Sequence, residues 1–285
     1  MSDPVERLWA LLSPCTLCPR ECEVFRCGGQ TGFCGAPGEL VVASAGPHFG
    51  EESVLVGSGG SGTIFLAGCN LQCIFCQNWE ISHEISGAAH TPESLAELML
   101  LLQQRGCVNV NFVTPTHYGP HIGQAIRLAR DRGLTVPTVY NCGGYESVRS
   151  LELLEGLIDI YMPDIKFLDS GVAGRLTGAS DYPDVVRAAI REMHRQVGDL
   201  VIAAGLAKRG LLIRHLVMPN DQSTSTDALN FLAQEISGNT FVNVMAQYRP
   251  CYQASHDELI ARRPSADEFT AALTHARSLG LRLAE

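Results

Sequence analysis

Cys69, Cys73 and Cys76 stand four and three residues apart in one eight-residue stretch. They follow an apolar run, residues 63–67, that reads as a strand. Thiols at this density have the spacing of a metal-binding loop. Three thiolates suit three irons of a 4Fe–4S cluster and leave the fourth iron without a protein ligand. Clusters that only carry electrons are usually tied by four cysteines. An open coordination position is where a metal does chemistry rather than holding a fold. The competing reading, a helical stripe of small buried thiols, is weak against three cysteines so closely set.

A second group lies nearer the N-terminus. Cys15, Cys18, Cys22 and Cys34 have the number and clustering of a metal site. Zinc takes a tetrahedral thiolate set, and an auxiliary iron–sulfur cluster takes the same residues; the spacing leaves both open. Cys27 is an alternate ligand or a bystander. Cys107, Cys142 and Cys251 are scattered and read as structural.

The chain has 285 residues, 46% hydrophobic and 18% charged, with a formal net charge of −9. That composition supplies a sizeable core and length for one large domain plus a small one. The acidic balance argues against nonspecific nucleic-acid or anionic-membrane binding, both of which need a basic surface. No apolar run reaches the roughly 20 residues that span a bilayer. The first residues carry acids and an early proline and do not read as a signal peptide. The expectation is a cytoplasmic protein, where eleven cysteines serve ligation better than disulfides.

These residues need elements to position them. Residues 1–60 form a cysteine-rich region with a short helix near 5–12 and two short apolar runs, 40–45 and 53–56, read as a hairpin or edge strands. The glycine-rich stretch 57–62 precedes a strand and lacks the lysine of a phosphate loop, so it reads as a tight turn. From residue 61 to 285 the pattern repeats. Buried apolar strands are expected at 63–67, 108–113, 135–140, 157–162, 211–217 and 241–245. Helices are expected between them, at 91–106, 120–132, 145–155, from 181, and 226–236, with a last one opening at Ser265 and Glu268 as a capping box. Six such units predict an α/β fold, a parallel sheet covered by helices. Six are too few for a closed eight-stranded barrel, so the expected form is a partial (β/α)6 TIM-type barrel with the small N-terminal metal-binding region attached.

In such sheets ligands meet the carboxyl ends of the strands. Polar residues collect there. Gln77 and Asn78 follow the cysteines, and Thr114, Thr116 and His117 follow the second strand. Asn141 and Gly143-Gly144 follow the third, Asp164 and Lys166 the fourth. His215 and Asn220 flank the end of the fifth, and Gln247 and Arg249 follow the sixth. Each also has an ordinary reading: Thr114-Pro115 and Gly143-Gly144 as turns, Lys166 as a solvated lysine, the histidines as satisfied polar groups.

The cysteine triplet with aromatic Phe75 before Cys76 resembles the signature of the radical S-adenosylmethionine (SAM) superfamily. Further stretches, from Cys76 to Ser82, Val113 to His117, Asp159 to Asp164 and Met245 to Pro250, together with the N-terminal cysteines, resemble a family related to pyruvate formate-lyase activating enzymes. The resemblance implies that Cys69, Cys73 and Cys76 hold the cluster, that SAM chelates the open iron, and that an electron splits SAM into methionine and a 5′-deoxyadenosyl radical that takes hydrogen from a substrate. It implies SAM contacts from Phe75, Asn78, Thr114, Asn141, Asp164 and Lys166. Relatives carry a Gly-Gly-Glu-like motif where this chain has Thr114 to Thr116. Arg214 either points out of the barrel or reaches SAM. The implied partners are an external electron donor such as a flavodoxin or ferredoxin and a peptide or protein substrate, a glycine Cα in the activating-enzyme case. The alternatives are a small-molecule or RNA substrate, or a non-enzymatic iron–sulfur electron-transfer protein.

Overall fold

The computed structural model describes residues 3–284. The chain opens with α1 (Pro4–Ala10), capped by the Asp3 side chain, which accepts the Val5 N–H at 2.8 Å. Cysteine-bearing loops lead to β1 (Leu40–His48) and a single helical turn, α2 (Ser53–Val56). The alternating part then begins with β2 (Ser61–Leu66), α3 (Trp79–Ser82), β3 (Ala88–His90), α4 (Pro92–Gln104) and β4 (Val110–Val113). It continues through α5 (Gly119–Asp131), β5 (Thr138–Cys142), α6 (Val148–Leu153), β6 (Ile160–Pro163), α7 (Ser170–Thr177) and α8 (Tyr182–Val197). It closes with β7 (Val201–Ala203), β8 (Leu206–Leu216), α9 (Ser225–Phe231), β9 (Phe241–Met245), α10 (Ala266–Ser278) and β10 (Arg282–Leu283).

The sheet runs β10-β9-β8-β6-β5-β4-β2-β1-β3, with β7 paired to β8. From β2 through β4, β5, β6, β8 and β9 to β10 every pairing is parallel. The path ends at β3 and β10, which do not pair with each other, so the barrel is partial, as six units require. Helix signals acted as read. In α4 the Thr91 and Ser94 side chains cap reciprocally, and Leu95, Met99 and Leu102 are buried at alternating spacings of four and three. Ser265 and Glu268 form the expected box at α10.

The first sixty residues are continuous with the barrel. β1 joins the sheet antiparallel to β2, and α1 packs on α5 and α6. The run 53–56, expected as strand, is instead the helical turn α2. It enters the barrel interior, where no strand edge is free to pair with it. There Leu55, fully buried, packs with Val139, Ile160, Met162, Leu212 and Phe241. Asn109 Nδ2 donates to the Leu55 carbonyl at 2.7 Å and holds the plug in place. The glycine run is the plug's turn, since a Cβ on Gly59 would lie 1.8 Å from the Gly106 carbonyl oxygen. Leu55→Ala is expected to cost about 2–5 kcal/mol, the range for a buried leucine whose cavity cannot collapse; the shift in the urea midpoint measures it.

Other departures have local causes. The helix expected at 145–155 shrinks to α6 because Tyr145 and Glu146 turn inward, to Asp181 and to Thr116 and Tyr140 respectively. Helix α7 was not anticipated: it contains Gly171 and Gly174, which weaken the helical signal, and it stands on the Asp169 cap. The strand at 40–45 runs on to His48.

Candidate active site

The loop after β2 is pinned from several directions. Leu71 N–H donates to Cys69 Sγ at 3.4 Å, and Cys76 N–H to the Cys73 carbonyl at 3.1 Å. Ile74 N–H reaches the Leu176 carbonyl on α7 at 3.0 Å, while its own carbonyl accepts the Gln253 N–H at 2.9 Å. Asn70 Nδ2 holds the Tyr145 carbonyl at 2.7 Å. Gln72 adopts a left-handed φ of 49°, which lets the chain reverse within the triplet. All three thiols are free, Cys73 buried and the other two half-buried.

Cys69, Cys73 and Cys76 line one wall of a cavity of about 500 Å3, with Phe75 and Asn78 beside them. Thr114, Asn141, Asp164 and Lys166 line it from the ends of β4, β5 and β6. The residues expected to hold the cluster or contact SAM therefore meet the same space, whereas Thr116, His117, His215, Asn220 and Arg249 do not line it. Thr114 holds a φ of 60°, unusual for a β-branched residue, with its N–H bonded to the Asn141 carbonyl at 2.9 Å. Phe75 is buried edge-on to Phe167 and tilted against Tyr248. Lys166 Nζ and Asp164 Oδ2 form an ion pair at 2.5 Å. Burial alone would lower the Lys166 pKa, but the facing Asp164 carboxylate outweighs it and holds the ammonium above its ordinary range.

The radical SAM superfamily model matches residues 63–221. The chain belongs to this superfamily. An uncharacterised protein of Methanocaldococcus jannaschii is 33% identical over 279 residues, covering 94% of this chain and 76% of that one. A radical SAM methyltransferase from Sphaerobacter thermophilus shares the fold at a TM-score of 0.53 and 11% identity, over 78% of this chain and 65% of that one. SuiB of Streptococcus suis does so at 0.51 and 14%, over 76% and 46%.

Radical SAM membership implies a 4Fe–4S cluster and SAM as cofactors, and the residues present fit both. The donor set is three free thiols on one cavity wall. The volume suits a small-molecule ligand. Asn111 shares its strand face with the cavity-lining Val113, and both of its side-chain amide atoms are buried without a partner. Hydrogen-bonding capacity beneath the cavity is thus unspent, and buried polar groups are seldom left so.

The sequence reading did not place the opposite wall. Arg214, on β8, lines the cavity and is clamped by Glu51 and Glu52 from the segment before α2. Asn243 on β9 completes the set by donating to Glu52 Oε1 at 2.8 Å. The available signal was alternation, with polar Arg214 and Asn243 recurring at inward positions of apolar strands. His117 and His215 are structural. Both are buried, one bonded to the Ala67 carbonyl and the other to Ile165 and Ser225, and burial pushes their pKa values down to about 3 and about 4.

Glu146 was also missed. It is buried and accepts from Thr116 Oγ1 at 2.6 Å and Tyr140 OH at 3.0 Å. Burial pushes its pKa up to about 7, against the opposing pull of those hydroxyls. A carboxyl raised on folding stabilises fully below its unfolded value, and that contribution is lost as pH rises through the folded value. The stability advantage of wild type over Glu146→Gln is therefore expected to shrink by about 2–3 kcal/mol between pH 5 and pH 8. Paired denaturation curves check this; a constant difference would refute it.

Proposed function

We propose that this radical SAM protein takes hydrogen from a peptide or protein substrate, with a glycine Cα as the activating-enzyme-like target. The observation that carries the reading is one cavity gathering the cysteine triplet and the ends of three neighbouring strands. A 4Fe–4S cluster with one iron free of protein ligands would, when bound there, supply the electron for reductive cleavage of SAM. The chain's own part is orientation and exclusion of water. Cys69, Cys73 and Cys76 would hold the cluster, with Phe75 and Asn78 on the same cavity wall. Asn141 and the Asp164–Lys166 pair offer donors and acceptors to the polar groups of SAM, and Thr114 lines the same face. A peptide substrate is supported by the aromatic shelf next to the triplet, where Trp79 stacks on the exposed Tyr252 with centroids 5.4 Å apart. The unpaired ends of the sheet leave the barrel with a seam. The electron comes from an external donor of the flavodoxin or ferredoxin class.

Anaerobic reconstitution with iron and sulfide, then dithionite and SAM, is expected to yield 5′-deoxyadenosine and methionine. No 5′-deoxyadenosine from a fully loaded protein would overturn the radical reading. Peptides deuterated at glycine Cα test the substrate: deuterium in the 5′-deoxyadenosine supports it. Turnover without deuterium transfer from any glycine peptide removes the glycine assignment and leaves the SAM chemistry standing.

A further inference from the structure

The N-terminal cysteines meet in space. Cys15, Cys18 and Cys34 are buried, Cys22 is half-buried, and none is bonded to another. Backbone contacts gather their loops: Glu23 N–H donates to the Cys15 carbonyl and Glu21 N–H to the Cys18 carbonyl, both at 3.0 Å, and Gly32, two residues before Cys34, packs against Cys22. Cys27 is exposed and stands outside it.

The backbone around them is shaped to receive anionic sulfur. Phe33 N–H donates to Cys22 Sγ at 3.4 Å, as Leu71 N–H does to Cys69 Sγ in the triplet loop. Gly32 lies so close that a Cβ there would stand 2.9 Å from Cys22 Sγ, and Gly35 turns the chain after Cys34 with a φ of 70°. Amide donors aimed at sulfur favour the thiolate. Buried thiolates of this kind need a cation to balance them.

The group is also stitched to the triplet loop. Arg20, between Cys18 and Cys22, donates through Nε to the Asn70 carbonyl at 2.9 Å. Gln72, between Cys69 and Cys73, donates to the Phe33 carbonyl at 2.8 Å. A Cβ on Gly68 would lie 2.7 Å from the Cys34 carbonyl oxygen. Each cysteine loop therefore donates a side chain to a carbonyl of the other, and their backbones meet at Gly68 and Cys34. Among the described residues no three His, Cys, Asp or Glu side chains close to single-ion spacing, either here or at the triplet. A cubane holds its thiolates further apart than one ion does.

We propose that Cys15, Cys18, Cys22 and Cys34 ligate a second iron–sulfur cluster, fully coordinated by protein and packed against the loop that holds the first. The test is metal and sulfide content with electron paramagnetic resonance on the full chain after anaerobic reconstitution. Wild type is expected to hold about eight irons, and a Cys69→Ala/Cys73→Ala/Cys76→Ala variant about four, with the signal of a reduced cluster retained. Cys18→Ala/Cys34→Ala is expected to lose about four irons, and Cys27→Ala none. Because the triplet variant leaves the N-terminal loops intact, the second cluster is read out even if the Cys18→Ala/Cys34→Ala protein misfolds. About four irons in folded wild type, or one tightly held zinc per chain that survives removal of the triplet, would overturn the assignment.

Discussion

Cys73→Ala is expected to abolish 5′-deoxyadenosine formation, a loss of more than about 100-fold, while leaving the fold intact. Substitutions at partners that merely support a metal ligand already cost about 10–100-fold, and a ligand itself costs more. Cys73 is the buried member of the triplet. Burial pushes its thiol well above the ordinary range, with Lys166 pulling the other way. Without metal it therefore keeps its proton, and cluster binding must displace that proton. Ser82, the nearest polar contact of the triplet, already bonds Cys76 Sγ at 3.2 Å and His83 Nδ1 at 2.9 Å. Replacing one small buried residue by another leaves packing almost unchanged, so circular dichroism and the thermal midpoint of the unloaded protein should match wild type. Iron content, the visible absorption of the cluster and product formation should fall together. Product at wild-type rate from the alanine variant would remove Cys73 from the site.

What the sequence disclosed follows from which signals are local. Strand and helix order came through because parallel strands buried on both faces are continuous apolar runs, and because caps such as Thr91 with Ser94 are written within four residues. The cavity wall built by Cys69, Cys73, Cys76, Phe75, Asn78, Thr114, Asn141, Asp164 and Lys166 was legible for a related reason: strand ends in a parallel sheet all face one rim. The opposite wall was not. Glu51 and Glu52 stand more than 160 residues from Arg214 in the chain, and nothing local tells an inserted turn from an edge strand. Leu55 has the composition of either. Only the open interior of a six-stranded barrel, which needs filling, decides for the turn. Glu146 was hidden in the same way, since its partners Thr116 and Tyr140 lie on other elements.

Arg214→Ala is expected to destabilise the protein by about 3–5 kcal/mol, the cost of leaving buried charge unpaired. Arg214 Nε donates to Glu52 Oε1 at 2.8 Å and Nη2 to Glu52 Oε2 at 2.6 Å, with Glu51 on the same nitrogen. The Glu52 and Glu51 side chains are only 2% and 6% exposed, so water cannot replace the guanidinium. The pH dependence gives the mechanism its own signature. Burial alone would raise the Glu52 pKa, but Arg214, helped by Asn243, outweighs it and holds the carboxyl below the usual value. A depressed carboxyl stabilises fully above its unfolded pKa, and that contribution is lost as pH falls through the folded one. In wild type this pair therefore adds stability at neutral pH and gives it up in acid. With Arg214 gone the sign reverses. Burial then governs Glu52, its folded pKa rises above the unfolded one, and the variant loses further stability as pH climbs from about 5 to 8. The gap between wild type and Arg214→Ala should thus be widest at pH 8 and narrow toward pH 5. A gap independent of pH would mean that lost packing, not unpaired charge, is the cause. Replacing Arg214, Glu51 and Glu52 together by apolar residues of similar volume should recover much of the loss, since a buried ion network is often no more stable than its apolar equivalent. That triple variant separates the two things this wall does. If stability returns while 5′-deoxyadenosine formation stays low, the charges serve the cavity; if both return, they only hold the plug against β8.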